Sequence, residues 1–371
     1  MNSNPDRLDC RAFGAVGDGR TDNTAAFQKA LDAAADTQAT IHVPAGVFLT
    51  STLRFRSRVG MAGSPTWSFG DFGGTILRLS DAQAACLLDL TGAVGATLNG
   101  LCLDGANLGS GVCGVLVDKP DYGKTEDTPR LERCRISRFT GDGVRLRRIW
   151  CFSIRHCMIS HNAGNGIWLR GWDGFILDNW LSGNGAAGYG AYEENASITM
   201  TGNRIEWNRA AGILSAGGTH YNITGNYIDR SGGPGIWFRP RGQVASTIVT
   251  ATGNLIYRSG RPEWCPPEDT ASAHAQFDRV YGLVFSANAM NAGKDDRGQG
   301  QFSPRYGIVY GGLRNSVIKD NVMHNGALTG LLRDLSGHGE GVIVKDNVGS
   351  LFAPGQTHEA EVNSVFADPA W

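Results

Sequence analysis

The chain has 371 residues, and its 34 Lys and Arg against 35 Asp and Glu leave a formal net charge of −1. This near-neutral balance disfavours a nucleic-acid-binding protein, which normally carries a basic excess, while 41% hydrophobic residues suffice for a large core. No apolar run approaches the roughly 18–20 residues that span a bilayer, so we expect no membrane partner.

The N-terminal region predicts one helix and no export signal. The first residues, MNSNPDRLDC, contain no basic segment followed by an apolar one. We therefore expect either a cytoplasmic protein or a secreted one whose signal has been removed. Residues 21–36 form the one strong amphipathic pattern. Its predicted apolar face comprises Ala25, Phe27, Ala30, Leu31 and Ala34.

An internal repeat dominates the chain from residue 131 onward. Its early steps are 23, 22, 24 and 23 residues, and its most regular column is Cys134, Cys157, Asn179, Asn203, Asn226, Asn254, Asn288, Asn321 and Asn347. A second column places Gly before a mostly aliphatic residue. This period, with Gly or Asn at each corner and no helical stripe, favours a parallel β-solenoid. Leucine-rich repeats share the period, but their leucine signature is absent.

The eight cysteines predict neither a metal centre nor a disulfide framework. They form no CxxC pair and are too sparse for a disulfide scaffold. We expect most of them to be small buried hydrophobes, and the sequence predicts no metal and no cofactor.

The N-terminal segments DCRAFGAVGDGRTDNTAAFQKALDAA and IHVPAGVFLTSTLRF resemble the entry of β-helix proteins in the pectate lyase and polygalacturonase superfamily. The resemblance implies an all-β, single-stranded, right-handed parallel β-helix of about ten coils with an N-terminal capping helix. We expect one domain: 8–60 as entry strand and cap, 61–350 as coils, and 351–371 as a tail. Members of the superfamily usually act on polysaccharides, by several reactions.

The polygalacturonase motif set is incomplete here. Gly337-His338-Gly339 matches one of its members, but it stands in the last coil without the expected partners. We therefore interpret this match as chance. A pectate-lyase type of Ca²⁺ cluster is not evident either.

Stacked coils predict a column of outward side chains beside the Gly corners, because residues one period apart become neighbours about 5 Å apart. The alternation of inward Ile167 and Leu169 with outward residues sets this column. Its predicted members are Arg145, Arg147, Trp168, Arg170, Tyr192, Glu194, Leu214, Ala216, Trp237 and Arg239. Aromatic faces stack on sugar rings and Arg binds carboxylates or hydroxyls, although a merely solvated sheet face is the alternative.

Carboxylates near this column are the candidate catalytic groups. Glu193 and Glu194 lie in a coil that is one residue longer than its neighbours, which suggests a bulge. One of them could be a buried general acid or could pair with Arg170 or Arg147. Asp173 is the third candidate, in the corner RGWDG.

Two further carboxylates, Glu206 and Asp229, lie 23 residues apart and are predicted to stack, both outward. Glycosidic chemistry needs a protonated and an ionised carboxyl group at a defined separation. The alternative is that Arg204 and Arg230 hold both as ordinary surface residues.

A corner and three insertions complete the candidate site. His220 and Tyr221 could serve as base or sugar contact, although a corner His is often only solvated. Insertions are predicted at 118–130, 259–277 and 292–304, and such loops often carry function. Trp264 in the second insertion is a candidate sugar contact.

These observations favour an enzyme that cleaves or transfers glycosidic bonds of an oligo- or polysaccharide by an acid/base carboxylate mechanism. A lyase or C5-epimerase on uronates is the first alternative, which the predominance of Arg among the basic residues favours. A non-catalytic glycan-binding or tailspike-like module is the second. The resemblance also makes a homotrimer possible.

Overall fold

In the part of the chain that the computed structural model describes, the regular secondary structure consists almost wholly of β-strands. It covers residues 7–64, 67–70, 73–260, 271–293 and 303–352. Within these ranges lie 35 strands, the α-helix α1 (Thr24–Thr37) and a short 3-10 helix (Cys10–Phe13). None of the described helices is long and apolar enough to cross a membrane.

Each coil contributes three strands in turn, which we call rows 1, 2 and 3. Row 1 contains β5 (Leu53–Arg54), β8 (Cys86–Asp89), β11 (Cys113–Asp118), the first parts of β14 (Val144–Arg155) and β16 (Ile167–Leu177), β18 (Tyr189–Ala191), β21 (Ile213–Ala216), β24 (Ile236–Arg239), β27 (Ala273–Asp278), β30 (Tyr306–Gly311) and β33 (Gly330–Asp334). Row 2 contains β1 (Arg7–Asp9), β3 (Thr40–His42), β6 (Gly60–Ala62), β9 (Thr97–Asn99), β12 (Arg130–Glu132), the second parts of β14 and β16, β19 (Asn195–Thr201), β22 (Thr219–Thr224), β25 (Ser246–Thr252), β28 (Val280–Ser286), β31 (Ser316–Lys319) and β34 (Val342–Lys345). Row 3 contains β2 (Asp18–Asp22), β4 (Gly46–Thr50), β7 (Thr75–Leu79), β10 (Cys102–Asp104), β13 (Arg135–Ser137), β15 (Met158–Ser160), β17 (Trp180–Ser182), β20 (Arg204–Glu206), β23 (Tyr227–Asp229), β26 (Leu255–Tyr257), β29 (Ala289–Asn291), β32 (Val322–Met323) and β35 (Val348–Gly349).

The chain divides into two compact units, which are described separately. Unit 1 comprises Met1–Gly190 with Ser197–Thr199, and unit 2 comprises Ala191–Ala196 with Met200–Trp371. In unit 1, Ile136 pairs with Ile159 and Val144 with Ile167 in parallel register. In unit 2, Ile205 pairs with Ile228 and Ile213 with Ile236. These partners are 23 residues apart, so the predicted period is confirmed, and with it the all-β parallel β-helix.

The asparagine column forms a hydrogen-bonded ladder. In unit 1, the Cys157 backbone N–H donates to Asn179 Oδ1 at 2.9 Å. In unit 2, each Asn Nδ2 donates to the next Asn Oδ1 at 2.8–3.0 Å, from Asn203 through Asn226, Asn254, Asn288 and Asn321 to Asn347. The residue before each of these six asparagines has a left-handed backbone conformation. At the first three positions this residue is Gly, which adopts the conformation without steric cost. The corner chemistry predicted from the repeat is therefore confirmed.

Helix α1 packs its apolar face onto the first strands. Phe27, Ala30, Leu31 and Ala34 are fully buried, and the Phe27 ring meets Phe48 edge-on at 5.5 Å. Ala25, expected on this face, is exposed. It precedes Phe27 by two residues, about 200° around the helix, so it faces the opposite side.

One of the predicted insertions is shorter than expected. The sequence pattern predicts an insertion over 259–277, but strand β27 begins at Ala273. Ala273, Ala275 and Phe277 are fully buried, and Ala275 and Phe277 pair in register with the inward Ile236 and Phe238 of β24. The candidate Trp264 lies outside the described residues, as does the tail from residue 353.

Candidate functional site

Row 1 of unit 2 presents an outward column that includes two of the predicted binding residues. Leu214 pairs with Trp237 and Ala216 with Arg239, and Trp237 pairs in turn with Gln276. Trp237 and Arg239 are partly exposed, and the Arg239 guanidinium lies 5.1 Å from the Trp237 ring centre. The column therefore combines an aromatic surface with a cation at the ends of row 1 strands.

Asp278 is the carboxylate of this surface. The Trp237 indole Nε1 donates to Asp278 Oδ2 at 3.1 Å, and Gln276 Nε2 donates to the same oxygen at 3.0 Å. Burial raises the pKa of Asp278, although both hydrogen bonds and the Arg239 charge act in the opposite direction. A carboxyl group with a raised pKa holds its proton closer to neutrality, as a general acid requires.

Glu194 lies in the turn after β18, at the same end of row 1 in unit 2. Glu194 Oε1 is 3.7 Å from Arg241 Nη1, and its side chain is 43% exposed. The buried Asn195 holds this turn: its Nδ2 donates to the Glu193 carbonyl at 2.6 Å, and its Oδ1 accepts from the Ser215 hydroxyl at 2.7 Å. Because C-terminal ends of parallel strands share one edge of the sheet, Glu194, Arg241 and Asp278 lie along the same edge.

Tyr192 and Glu193 directly precede Glu194 in this turn. Both are partly exposed, so Glu193 is not the core carboxylate that one interpretation of the bulge required. The turn therefore presents its side chains near the surface, and Glu194 lies beside the Arg241 guanidinium.

The corner residues His220 and Tyr221 point to opposite sides. Tyr221 is 2% exposed, and its hydroxyl donates to Asn195 Oδ1 at 2.5 Å. Its expected surface position is wrong, because strand alternation turns it inward against Phe238. His220 is exposed and left-handed, with Nδ1 2.9 Å from the Thr219 hydroxyl.

The predicted binding residues of unit 1 are less exposed to solvent than the repeat pattern predicts. Arg145 pairs with Trp168 and Arg147 with Arg170 in register, as the period predicted. Trp168 is only 8% exposed, because the Arg145 guanidinium lies 4.8 Å from its ring centre. Trp168 is therefore covered, and its predicted exposure is wrong. Arg147 forms a surface ion pair with Asp118 at 2.9 Å.

Glu206 and Asp229 stack as predicted, but they are buried. They pair in register on β20 and β23 and are 5% and 1% exposed. Arg204 Nε lies 2.7 Å from Glu206, while Arg230 and Arg258 contact Asp229 at 2.5 and 3.0 Å. Their predicted outward exposure is wrong because neighbouring guanidinium groups cover them. This arrangement is typical of a structural ion cluster.

Asp173 lines a separate pocket of about 350 Å³ in unit 1. Asp173 is left-handed and exposed, and the Trp150 indole Nε1 donates to its Oδ2 at 2.9 Å. The predicted insertion 118–130 forms one wall through its last residues. Its Tyr122 ring stacks on Trp172 with the ring centres 3.8 Å apart.

The sequence interpretation missed Asp278, Gln276 and Arg241. Asp278 follows Phe277, the last residue of the predicted insertion. The predicted outward column therefore ended one coil too early. The alternating Ala273, Ala275 and Phe277 was the signal that could have identified β27. No group of three or more His, Cys, Asp or Glu suited to a metal ion occurs among the described residues.

The free energy of unfolding is expected to fall as the pH is lowered, because of His274. This residue lies in β27, two residues before Gln276 and on the same side of the strand. The residue is fully buried, and burial lowers the pKa of its imidazole to about 3. Below about pH 6.5 the unfolded state binds a proton that the folded state does not, so protonation favours unfolding. At pH 5 this costs about 2 kcal/mol relative to pH 7.5.

Urea unfolding of His274→Gln at these two pH values tests this dependence. The variant is expected to lose less free energy of unfolding on acidification than the wild type, while His220→Gln, at an exposed corner, should behave as the wild type. Identical losses in the wild type and His274→Gln would contradict the expectation.

Two family models match the sequence. The right-handed β-helix region matches over residues 109–256 and 152–350. The family described as rhamnogalacturonase A/epimerase, pectate lyase-like, matches residues 9–75, which contain the segments that carried the resemblance. Both agree with the predicted superfamily and with its right-handed coil.

Several solved structures have a similar fold. The Dettilon tailspike protein has a TM-score of 0.64 at 13% identity, covering 93% of this chain and 68% of its own. The Azotobacter vinelandii mannuronan C-5 epimerase AlgE6 A-module has a TM-score of 0.59 at 16% identity, and the match covers 92% of this chain and 99% of the module. DFA-IIIase from Arthrobacter chlorophenolicus A6 has a TM-score of 0.56 at 14% identity, and the match covers 94% of this chain and 99% of that protein's chain. At these identities the similarity establishes the fold.

Proposed function

This chain belongs to the right-handed β-helix family, and we propose that it is a carbohydrate-active enzyme that cleaves or transfers glycosidic bonds of an oligo- or polysaccharide. The observation that carries the proposal is Asp278, whose raised pKa suits a proton donor and which lies against Trp237 and Arg239. An aromatic surface, a cation and a protonated carboxyl group together suit a sugar and its glycosidic oxygen.

The proteins of similar fold support this class of substrate. One is named as a mannuronan epimerase and one as a DFA-IIIase in complex with GF2. The fold does not decide the reaction, which depends on the side chains at the site. The sugar-bearing surface proposed here consists of Trp237, Arg239 and Tyr192.

In the proposed mechanism, Asp278 donates its proton to the glycosidic oxygen as the bond to the anomeric carbon breaks. Glu194 removes a proton from the water or sugar hydroxyl that attacks this carbon. Their strands, β18 and β27, are separated by β21 and β24, which corresponds to about 14 Å between backbones. The proposed mechanism requires the two carboxyl groups to come within about 6.5–9.5 Å of each other, as in inverting glycosidases, which leaves room for the attacking molecule.

The reaction class is tested with a panel of oligosaccharides and mass-spectrometric analysis of the products. Hydrolysis adds the mass of one water across the two products, whereas transfer within one substrate molecule does not. We expect one of these two outcomes with at least one substrate. Binding of saccharides without any product would contradict an enzymatic role and support the glycan-binding alternative.

Glu194→Gln is expected to lower kcat on that substrate by about 10²-fold or more, because the amide cannot take up a proton. The change preserves side-chain size and should alter the melting temperature little at this partly exposed position. Glu340→Gln, on another exposed glutamate, serves as the matched control. Unchanged turnover in Glu194→Gln would remove this residue from the mechanism.

A second candidate function is elimination or C5-epimerisation of uronates, which Arg239 near the proposed acid and Arg241 beside Glu194 favour. A guanidinium group can pair with the uronate carboxylate and so make its C5 proton easier to remove. A lyase creates a double bond that absorbs in the ultraviolet, so an absorbance trace with a uronate polymer separates it from a glycosidase.

The homotrimer that the family resemblance suggests is tested by light scattering.

A further inference from the structure

The pocket of unit 1 lies where two side-chain columns run across successive coils. One column holds the left-handed residues Thr128, Cys151, Asp173 and Ser197, and the other holds Arg130, Ser153, Phe175 and Thr199. Arg130 pairs with Ser153, and Ser153 pairs with Phe175 in register. Four coils at about 4.8 Å spacing make the pocket about 14 Å long.

Phe175 provides an apolar surface within this pocket. Its side chain is 53% exposed, which is a high value for a phenylalanine. The neighbouring Gly174 points inward and leaves room for the Phe152 ring. A Cβ atom at position 174 would lie 2.2 Å from that ring. Phe152 is almost fully buried. The pocket therefore has an aromatic surface and a packed apolar floor.

Polar groups with free hydrogen-bonding capacity surround the aromatic ring. The hydroxyls of Thr128, Ser153, Ser197 and Thr199 form no side-chain hydrogen bond within the described residues. The guanidinium of Arg130 makes no ion pair with any residue that the structure describes. Asp173 receives one hydrogen bond on Oδ2, from Trp150, which holds the carboxylate in place.

From this arrangement we propose that the pocket is a second saccharide-binding site, which takes a mono- or disaccharide unit of neutral pyranoses. The apolar face of a pyranose packs on an aromatic ring, and its hydroxyls need both donors and acceptors around the rim. One guanidinium and one carboxylate leave the rim without a strong net charge, which favours a neutral sugar over a uronate. The volume of about 350 Å³ is at the low end for small-molecule sites.

This site shares no residue with the proposed catalytic surface of unit 2. The proposal therefore holds whether or not Asp278 and Glu194 are confirmed as catalytic residues. It also gives Asp173 a binding role rather than an acid or base role.

Cys151 provides the measurement, because it lines the pocket and is partly exposed. The other described cysteines are buried. The protein is treated with N-ethylmaleimide, and alkylation of the Cys151 peptide is followed by mass spectrometry. The probes are methyl glucosides, methyl galactosides, maltose, cellobiose, lactose and mannobiose, and the acyclic sorbitol is the control.

At least one pyranoside is expected to slow alkylation of Cys151, by about tenfold at ten times its dissociation constant. Phe175→Ala should abolish this protection, while Leu255→Ala, which shortens an exposed apolar residue of β26, should retain it. Asp173→Asn should weaken the protection and provides a second variant, since Asn tolerates the left-handed backbone at this position.

Three results would overturn the proposal. The first is no protection by any pyranoside up to its solubility limit. The second is protection that needs neither the sugar ring nor the aromatic surface, seen as equal protection by sorbitol or as unchanged protection in Phe175→Ala. The third is protection that grows with protein concentration in the absence of sugar, because the occupant would then be a second copy of the chain.

Discussion

Asp278→Asn is expected to lower kcat by about 10²–10⁴-fold, the contribution usual for a general acid. The amide oxygen can still accept hydrogen bonds from Trp237 Nε1 and Gln276 Nε2, so the local geometry should be preserved. What the variant lacks is the carboxyl proton. Steady-state kinetics on the substrate identified by the oligosaccharide panel measure the effect.

The pH profile separates an acid from a merely structural carboxylate. The proposed mechanism uses the protonated form of Asp278, so wild-type kcat should fall as pH rises through its raised pKa. This alkaline limb should vanish in Asp278→Asn. Trp237→Phe removes a hydrogen bond that lowers this pKa, so its alkaline limb should move to higher pH.

Asp320→Asn is the matched control for Asp278→Asn, because Asp320 is 54% exposed and pairs with Lys319 at the surface. It should leave both kcat and the pH profile unchanged. A fall of less than tenfold in Asp278→Asn, with an unchanged alkaline limb, would exclude Asp278 as the acid. The failure of Glu194→Gln alone would instead leave Asp278 in place and require another base.

Asp229→Ala is expected to lower the free energy of unfolding by about 3–5 kcal/mol, as breaking buried ion pairs does. Asp229 is 1% exposed, and the two guanidinium groups that contact it, those of Arg230 and Arg258, are themselves buried. Removal of the carboxylate leaves two buried positive charges without this counter-ion. Urea unfolding monitored by circular dichroism measures the loss.

The exposed Asp118→Ala provides the comparison for this effect, with an expected loss below about 1 kcal/mol, because Asp118 is 46% exposed and pairs with Arg147 at the surface. Asp229→Asn distinguishes the structural role from the catalytic role that the sequence left open. A structural Asp229 predicts lower stability with turnover retained at temperatures where the variant is folded. Lost turnover with unchanged stability would instead restore Asp229 as a catalytic candidate.

The repeat predicted much of the fold because each coil obeys the same local rules. The column from Asn203 to Asn347 identified the corner that stacks from coil to coil, and the alternation around Ile167 and Ile236 identified the inward residues. These patterns depend on backbone periodicity alone. They therefore predicted the neighbours of Trp168, Glu206 and Trp237 without knowledge of the loops.

The candidate site was less predictable, because exposure depends on groups that come from other coils. Periodicity places Trp168 and Asp229 on the outer side of their strands, but guanidinium groups cover both. Asp278 was missed for a related reason, since the long connection before β27 interrupted the period. The sequence by itself determined which side chains stack and which side of the strand they occupy. Only the tertiary structure decided which of them meet solvent, because long Arg side chains and interstrand loops reach across coil boundaries that a repeat pattern does not describe.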